Sequence, residues 1–239
     1  MSRRPVLWLL LFVSIALMGV WPVSPDLQAA TEPGWRDRFD VEPKDLATIG
    51  RSAYFILEPG YRLTLEGWED GKAARLVITV LNETQPIGDY DTRVVEERES
   101  LEGKLAEVSR NYFAIHPRTG DVYYFGEDVE VYEHDEMVSH EGAWRHGVGG
   151  ARFGLMMPGE PAVGQRYYQE LAPQVAMDRA EVVSLTIALD TPAGAFNACL
   201  KTRETTPVEP GDREFKIYAP GVGLVQDGAL LITGHTPPP

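Results

Sequence analysis

From residue 61 to residue 234 apolar and polar residues alternate with a period of two, and Gly, Pro, Asn and Asp interrupt the alternation at short intervals. A period of two puts successive side chains on opposite faces of an extended backbone, so the pattern predicts antiparallel sheet with one covered face. Segments 61–68, 74–84, 91–99, 105–116, 122–134 and 137–144 carry it, followed by 165–172, 180–190, 195–205, 213–220 and 223–234. The connections have turn chemistry: "EDGK", "HPRTGD", "TPAG" and "VEPGD". Only "PQVAMDRA" (173–180) reads as a brief helix, and 149–154, with its glycines, reads as a tight loop packed over the sheet. A meander of so many strands must curl or close. The expected fold is therefore all-β, a single large curved antiparallel meander sheet forming a half-barrel or open barrel. In 122–134 the odd positions Tyr123, Phe125, Val129 and Val131 read as the covered face, and Tyr124, Glu130, Tyr132 and His134 as facing water.

The first 30 residues stand apart from this pattern. Arg3 and Arg4 precede an uncharged run over residues 6–21, Pro22 breaks it, and Ala29 and Ala30 supply small residues. That is the layout of a secretory signal peptide. The run falls short of the roughly 17–25 residues that span a bilayer, and no cysteine lies nearby to carry a lipid. Residues 1–30 are expected to be cleaved on export, 31–50 to form a flexible lead-in, and 51–236 to form one periplasmic or secreted β domain with no integral membrane segment. Removing Arg3, Arg4 and Asp26 from 22 basic and 36 acidic residues leaves a net charge of −15. Such a surface repels nucleic acid and anionic headgroups, which excludes both as primary partners, and it suits a soluble monomer. Cys199 is the sole cysteine, so no internal disulfide forms. It shares strand parity with Asn197 and Lys201 and reads as a half-buried structural thiol without the cationic setting of a nucleophile.

"VYEHDEMVSHEGAWRHG" (131–147) holds three of the five histidines. His140 and Glu141 begin like a zinc-protease motif, but the second histidine would have to stand at Trp144. On a strand, His134, His140 and His146 share a parity, yet the chain has to turn near Asp135 and Glu136. A two-residue loop places His140 opposite Val131, and a three-residue loop places it opposite Glu130. Neither converges three ligands, as a zinc site requires. The segment therefore reads as a solvated hairpin tip. A divalent metal is the one cofactor it suggests, on Glu130 and His140, with Glu141, His134 and His146 as weaker donors. No nucleophile elbow, phosphate-binding loop or dinucleotide fingerprint is present, Ser139 and Ser184 lack a neighbouring base, and no carboxylate pair stands out. Tyrosine and phenylalanine recur in "NYFAIH", "VYYFG", "RYYQE" and "FKIYAPGVG". They fit core packing, or the lining of a cavity for an apolar or amphipathic ligand.

Residues 111–170, with "YFGED", "GAW" and "GQRYYQE", resemble a group of exported bacterial β-rich proteins of unknown function. "FKIYAPGVGLV" (215–225) resembles the terminal hairpin of that group, and its "APG" predicts a type II turn. The resemblance implies a curved antiparallel sheet outside the cytoplasm, similar to periplasmic lipoprotein carriers. It also moves attention from the histidines to Tyr124, Glu127, Asp128, Trp144 and Glu170 as ligand-binding candidates. The expectation is a non-enzymatic module that carries an apolar small molecule or serves as a scaffold for a protein partner. A divalent-metal-binding protein is the alternative, and a hydrolase a distant one. The three demand different interiors: an aromatic-lined cavity, three convergent His, Asp or Glu side chains, or a cleft with a hydrogen-bonded polar pair.

Overall fold

The computed structural model describes residues 34–238. The expected signal peptide lies outside the described residues. A single 3-10 turn, Pro43–Asp45, and a short hairpin of β1 (Gly50–Arg51) and β2 (Ile56–Leu57) come first. The meander follows as β3 (Arg62–Glu69), β4 (Lys72–Ile87), β5 (Tyr90–Leu101), β6 (Lys104–Ile115) and β7 (Val122–Glu133). Next come the short β8 (Glu136–Ser139), β9 (Trp144–Arg145), β10 (Arg152–Met157), β11 (Arg166–Tyr168) and β12 (Glu170–Leu171). The chain ends with β13 (Arg179–Thr191), β14 (Gly194–Thr205), β15 (Glu214–Ala219), β16 (Gly223–Asp227) and β17 (Leu230–Thr236).

All strands from β3 onward join one antiparallel sheet in the order β11-β13-β14-β15-β16-β17-β3-β4-β5-β6-β7-β10-β12, with β8 and β9 beside β7. The two ends of that order are neighbours in sequence. Tyr167 pairs with Ala180 on one side, and three residues later Glu170 pairs with Phe153 on the other. A single crossing segment, 166–171, thus serves both edges and draws the sheet into a nearly closed barrel. Gly154 lets it pass: a Cβ there would lie 2.2 Å from the Gln169 carbonyl oxygen.

The expected all-β curved sheet is the observed architecture, and four local expectations are corrected. Residues 223–234 form two strands, β16 and β17, because the chain turns at Gly228 with φ 51°. Residues 137–144 do not make one strand; only 136–139 and 144–145 pair with β7. Residues 152–154, expected to belong to a loop, begin the strand Arg152–Met157 that pairs with β7. Residues 173–180 form a turn held by the Ala172–Ala176 bridge, with Gln174 at φ 66°, and no helix.

The fifth correction concerns β7, whose parity inverts partway. Asn111 opposes Glu127, whereas Phe113 opposes Tyr124, so one extra residue bulges on β7. Gly126 sits at the bulge with φ 142°, and a Cβ there would meet the Trp144 carbonyl oxygen at 2.4 Å. The bulge turns Tyr124 into the interior at 4% exposure, where water was expected. Tyr123 and Phe125 take the opposite face, yet they too are buried. An outer aromatic layer covers them: Phe39 lies 6.0 Å from Tyr123, and Tyr90 and Phe153 lie 4.6 and 4.8 Å from Phe125. Residues 34–50, expected as a flexible lead-in, supply part of that cover. The Arg36 N–H donates to the Arg166 carbonyl at 3.1 Å, and Ala47 bridges Ile115. Cys199 is fully buried, not half-buried.

Candidate functional site

The inward face follows from the registers. Leu63 opposes Ile78, Ile78 opposes Glu97, Glu97 opposes Ser109, and Ser109 opposes Val129. Around the other side, Val182 opposes Thr202, Thr202 opposes Lys216, Lys216 opposes Asp227, and Asp227 opposes Leu230. Because cross-strand partners share a face, the barrel interior collects aliphatic and aromatic residues together with charged ones. The β1–β2 hairpin lies across one end. The Gly221 N–H donates to the Ala53 carbonyl at 2.7 Å, the Tyr61 hydroxyl donates to the Val222 carbonyl at 2.7 Å, and Phe55 packs edge-on against Phe113 at 5.2 Å.

Beneath this cap lies a partly enclosed cavity of about 100 Å³. Its upper wall is apolar and aromatic, with Tyr54, Phe55, Tyr61, Ile78, Phe113 and Tyr218. Its deep wall is polar, with Glu97, Asn111, Gln169, Glu170, Asp178, Glu204 and Lys216. Behind that wall more acids are buried: Glu99 and Glu107 directly opposite each other on β5 and β6, Glu127 on β7, and Asp227 on β16. Lys216 is the single buried lysine among the described residues, its Nζ 3.3 Å from Glu204 and 3.7 Å from Asp227.

The polar atoms of the deep wall are unevenly satisfied. Asn111 Nδ2 donates to Ser109 Oγ at 3.0 Å, and its Oδ1 accepts the Tyr124 hydroxyl. Glu204 accepts Thr202 Oγ1 at 3.2 Å and Gln169 Nε2 at 3.3 Å. By contrast Gln169 Oε1, Glu170 Oε2 and both Glu127 carboxylate oxygens are buried without a hydrogen bond. The Trp144 indole N–H is oriented towards Glu170 but closes no hydrogen bond. An unpaired buried charge is costly, so such carboxyls hold their protons. Burial, followed by the nearby Asp178, raises Glu170 well above the usual carboxylate range. Burial, then Glu170, does the same for Glu127. Burial raises Glu97; burial and Glu204 push Asp178 up to about 7. Burial and the carboxyl of Glu97 push Glu107 up to about 8. Burial alone would lower the Lys216 ammonium, but Asp227, Glu204 and Glu214 raise it instead.

Of the residues named from sequence, Tyr124 and Glu170 line the cavity, and Glu127 and Trp144 are buried behind them. Trp144 pairs with Glu127, and its ring centroid lies 5.3 Å from that of Tyr124. Asp128 points outward, where Arg145 Nη2 lies 2.6 Å from its carboxylate and the Tyr112 hydroxyl donates to it at 2.7 Å. Glu130 and His140 do not meet: Glu130 accepts the Tyr132 hydroxyl at 2.7 Å, and His140 Nδ1 lies 2.7 Å from the Val129 carbonyl oxygen. The hairpin turns on two residues, with Glu133 opposite Glu136, and after a shift Val131 opposes Ser139, the register expected of the three-residue loop. His134 is at its tip, Glu141 is exposed beyond Ser139, and His146 packs in the outer aromatic layer 5.1 Å from Phe153. Among the described residues no group of three or more His, Cys, Asp or Glu is placed to hold a metal ion.

Sequence reasoning did not single out Glu97, Gln169, Asp178, Glu204 or Lys216. In "REFKIYAP" the alternation of Phe215 and Ile217 makes Lys216 look external, whereas Lys216 is 8% exposed and Phe215 38%. An outer groove runs past Trp35, Arg166, Arg179 and Arg203, but these cations are engaged with Glu181, Thr205 and the Trp35 ring. No family model matches the chain, and no curated protein or solved structure matches it.

Proposed function

We propose that this protein is an exported, non-enzymatic binding module that holds one small amphipathic molecule inside its barrel. The observation that carries this reading is the two-faced cavity, aromatic beneath the β1–β2 cap and lined with unsatisfied polar atoms at depth. Aromatic walls supply apolar contact, and a few convergent polar groups fix orientation. The volume sets the scale. A void of roughly 150 Å³ accepts a benzene-sized molecule, so about 100 Å³ suits a body of a few carbon atoms while the cap stays in place. Export rests on the signal-peptide pattern of residues 1–30, and fractionation of cells producing the full chain tests it.

A ligand-observed NMR screen of compact apolar and amphipathic compounds tests the binding. Val95→Phe and Ile78→Phe fill the lumen from two walls. Occupants of the lumen lose their signal in both variants. A screen in which every binder is retained by both folded variants removes the reading.

A further inference from the structure

The lumen is rich in carboxyls and poor in cations. Four carboxyls face the cavity from four parts of the chain: Glu97 on β5, Glu170 on β12, Asp178 ahead of β13 and Glu204 on β14. Among the described residues Lys216 on β15 is the one cation that lines the cavity with them, and Glu204 and Asp227 already engage it. Further acids stand behind: Glu99, Glu107, Glu127, Glu214, Asp227 and Glu69. Tyr124 and Tyr218, the tyrosines nearest these acids, stay neutral because burial raises both.

Independent of that charge balance, two side chains at the cavity wall end in acceptors that nothing satisfies. Glu170 is 5% exposed and Gln169 3%, and Glu170 Oε2 and Gln169 Oε1 have no hydrogen-bond partner. The Gln169 amide nitrogen is already spent on Glu204 and on Met156 Sδ at 3.7 Å, so its oxygen is the end left over. Resting on the reading of the lumen as a binding site, we propose that its ligand is a compact organic cation, an amine with a short apolar body, whose ammonium donates to Glu170 and Gln169. An ammonium is donor-only and charged, which answers two unpaired acceptors in one step. The aromatic rings of Tyr54, Phe55, Phe113 and Tyr218 suit its apolar part and its positive charge alike. A carboxylate or phosphate would be repelled by any of these acids that ionises and would find Lys216 already engaged by Glu204 and Asp227. A bare metal ion lacks a ligand set, since no three acidic, histidine or cysteine side chains converge among the described residues.

The proposal has a proton balance. Glu97, Glu170 and Asp178 are raised in the empty lumen. An arriving cation favours their charged forms, so a proton leaves to solvent as the ammonium enters. Affinity accordingly rises with pH across the range in which these carboxyls titrate and the amine stays protonated.

The test compares n-butylamine, n-butanol and butyrate, matched in size, by NMR titration of the mature protein at about pH 6 and about pH 8, with proton release followed by pH-stat. Butylamine is expected to bind about ten-fold or more tighter than either analogue, to release protons, and to lose about ten-fold in Glu170→Gln. Glu97→Gln is the second variant and is expected to weaken butylamine and reduce the proton release. Butanol or butyrate binding as tightly as butylamine in the wild type, but not in Val95→Phe, overturns the cation and leaves the lumen reading standing. Binding of all three that Val95→Phe does not disturb overturns both.

Discussion

The two sides of the barrel interior are built from the same acids but treat them differently. On the β14–β16 side Glu204 and Asp227 stand within 3.3 and 3.7 Å of Lys216. On the β5–β7 side Glu99, Glu107 and Glu127 are as deeply buried and, among the described residues, have no cation beside them. Burial raises Glu99, Glu107 and Glu127 on the one side and, despite its lysine, Asp227 on the other. The difference is in how each side tolerates its acids. One side holds an ion cluster around an ammonium, and the other stays neutral by keeping protons. The first arrangement pairs its acids with a cation. The second makes the barrel pH-dependent and leaves room for a cation to replace protons. Glu170, on the crossing segment that closes the barrel, sits between the two and feels both Asp178 and Lys216.

Lys216→Met breaks the comparison most severely. Removing one partner of a buried ion cluster leaves uncompensated acids, at a cost of about 3–5 kcal/mol. The loss is expected to be larger near pH 8 than near pH 5, where the acids accept protons more readily. Urea denaturation at both pH values measures it. Equal, small losses at both would show that Lys216 does not hold the β14–β16 side.

Glu107→Gln sharpens the comparison from the other side. Its carboxyl is raised to about 8 in the folded protein, while an unfolded glutamate titrates near 4.3. A raised acid contributes fully below the unfolded value, and its contribution is lost as pH climbs towards the folded value. The wild type should therefore lose stability between about pH 5 and about pH 8. The glutamine variant, neutral throughout, is expected to be about 1–2 kcal/mol more stable than wild type near pH 8 and close to it near pH 5. A wild-type stability that is flat or rises with pH over this window would mean that Glu99 and Glu107 are hydrated or paired.

Much of the barrel was legible from alternation. The strand expected at 61–68 is Arg62–Glu69, and that at 180–190 is Arg179–Thr191. Alternation shows which residues share a face, but not which face turns inward. Lys216 was hidden for that reason, since Phe215 and Ile217 gave β15 an apolar parity on the wrong side. Tyr124 was hidden because the bulge at Gly126 resets the parity of β7, and two positions later the pattern reads true again. The Gly228 turn was hidden inside "VQDGALL", where apolar residues flank it on both sides. The deep wall was legible only through the resemblance that singled out Tyr124, Glu127, Trp144 and Glu170. Its remaining acids come from strands far apart in sequence, and a chain with 36 acidic residues gives no way to tell those that line a lumen from those that meet water.

The smallest expected effect lies at the hairpin tip, where the histidines drew attention first. His134 and Asp135 occupy the two turn positions at φ 54° and 67°, the conformation of a two-residue hairpin turn of the primed type. Glycine relieves the left-handed strain at the second position, which is worth about 1–2 kcal/mol, but it also adds freedom to the unfolded chain worth about 0.4–1 kcal/mol. Asp135→Gly is therefore expected to stabilise the protein by about 0.5 kcal/mol, by the same amount near pH 5 and near pH 8. It should leave butylamine affinity unchanged, because the tip is exposed and apart from the cavity wall. Thermal melts at the two pH values check the first part, and the NMR titration checks the second. A pH-dependent gain or a shifted affinity would couple the tip to Glu127, the buried acid of β7, making the histidine hairpin part of the site after all.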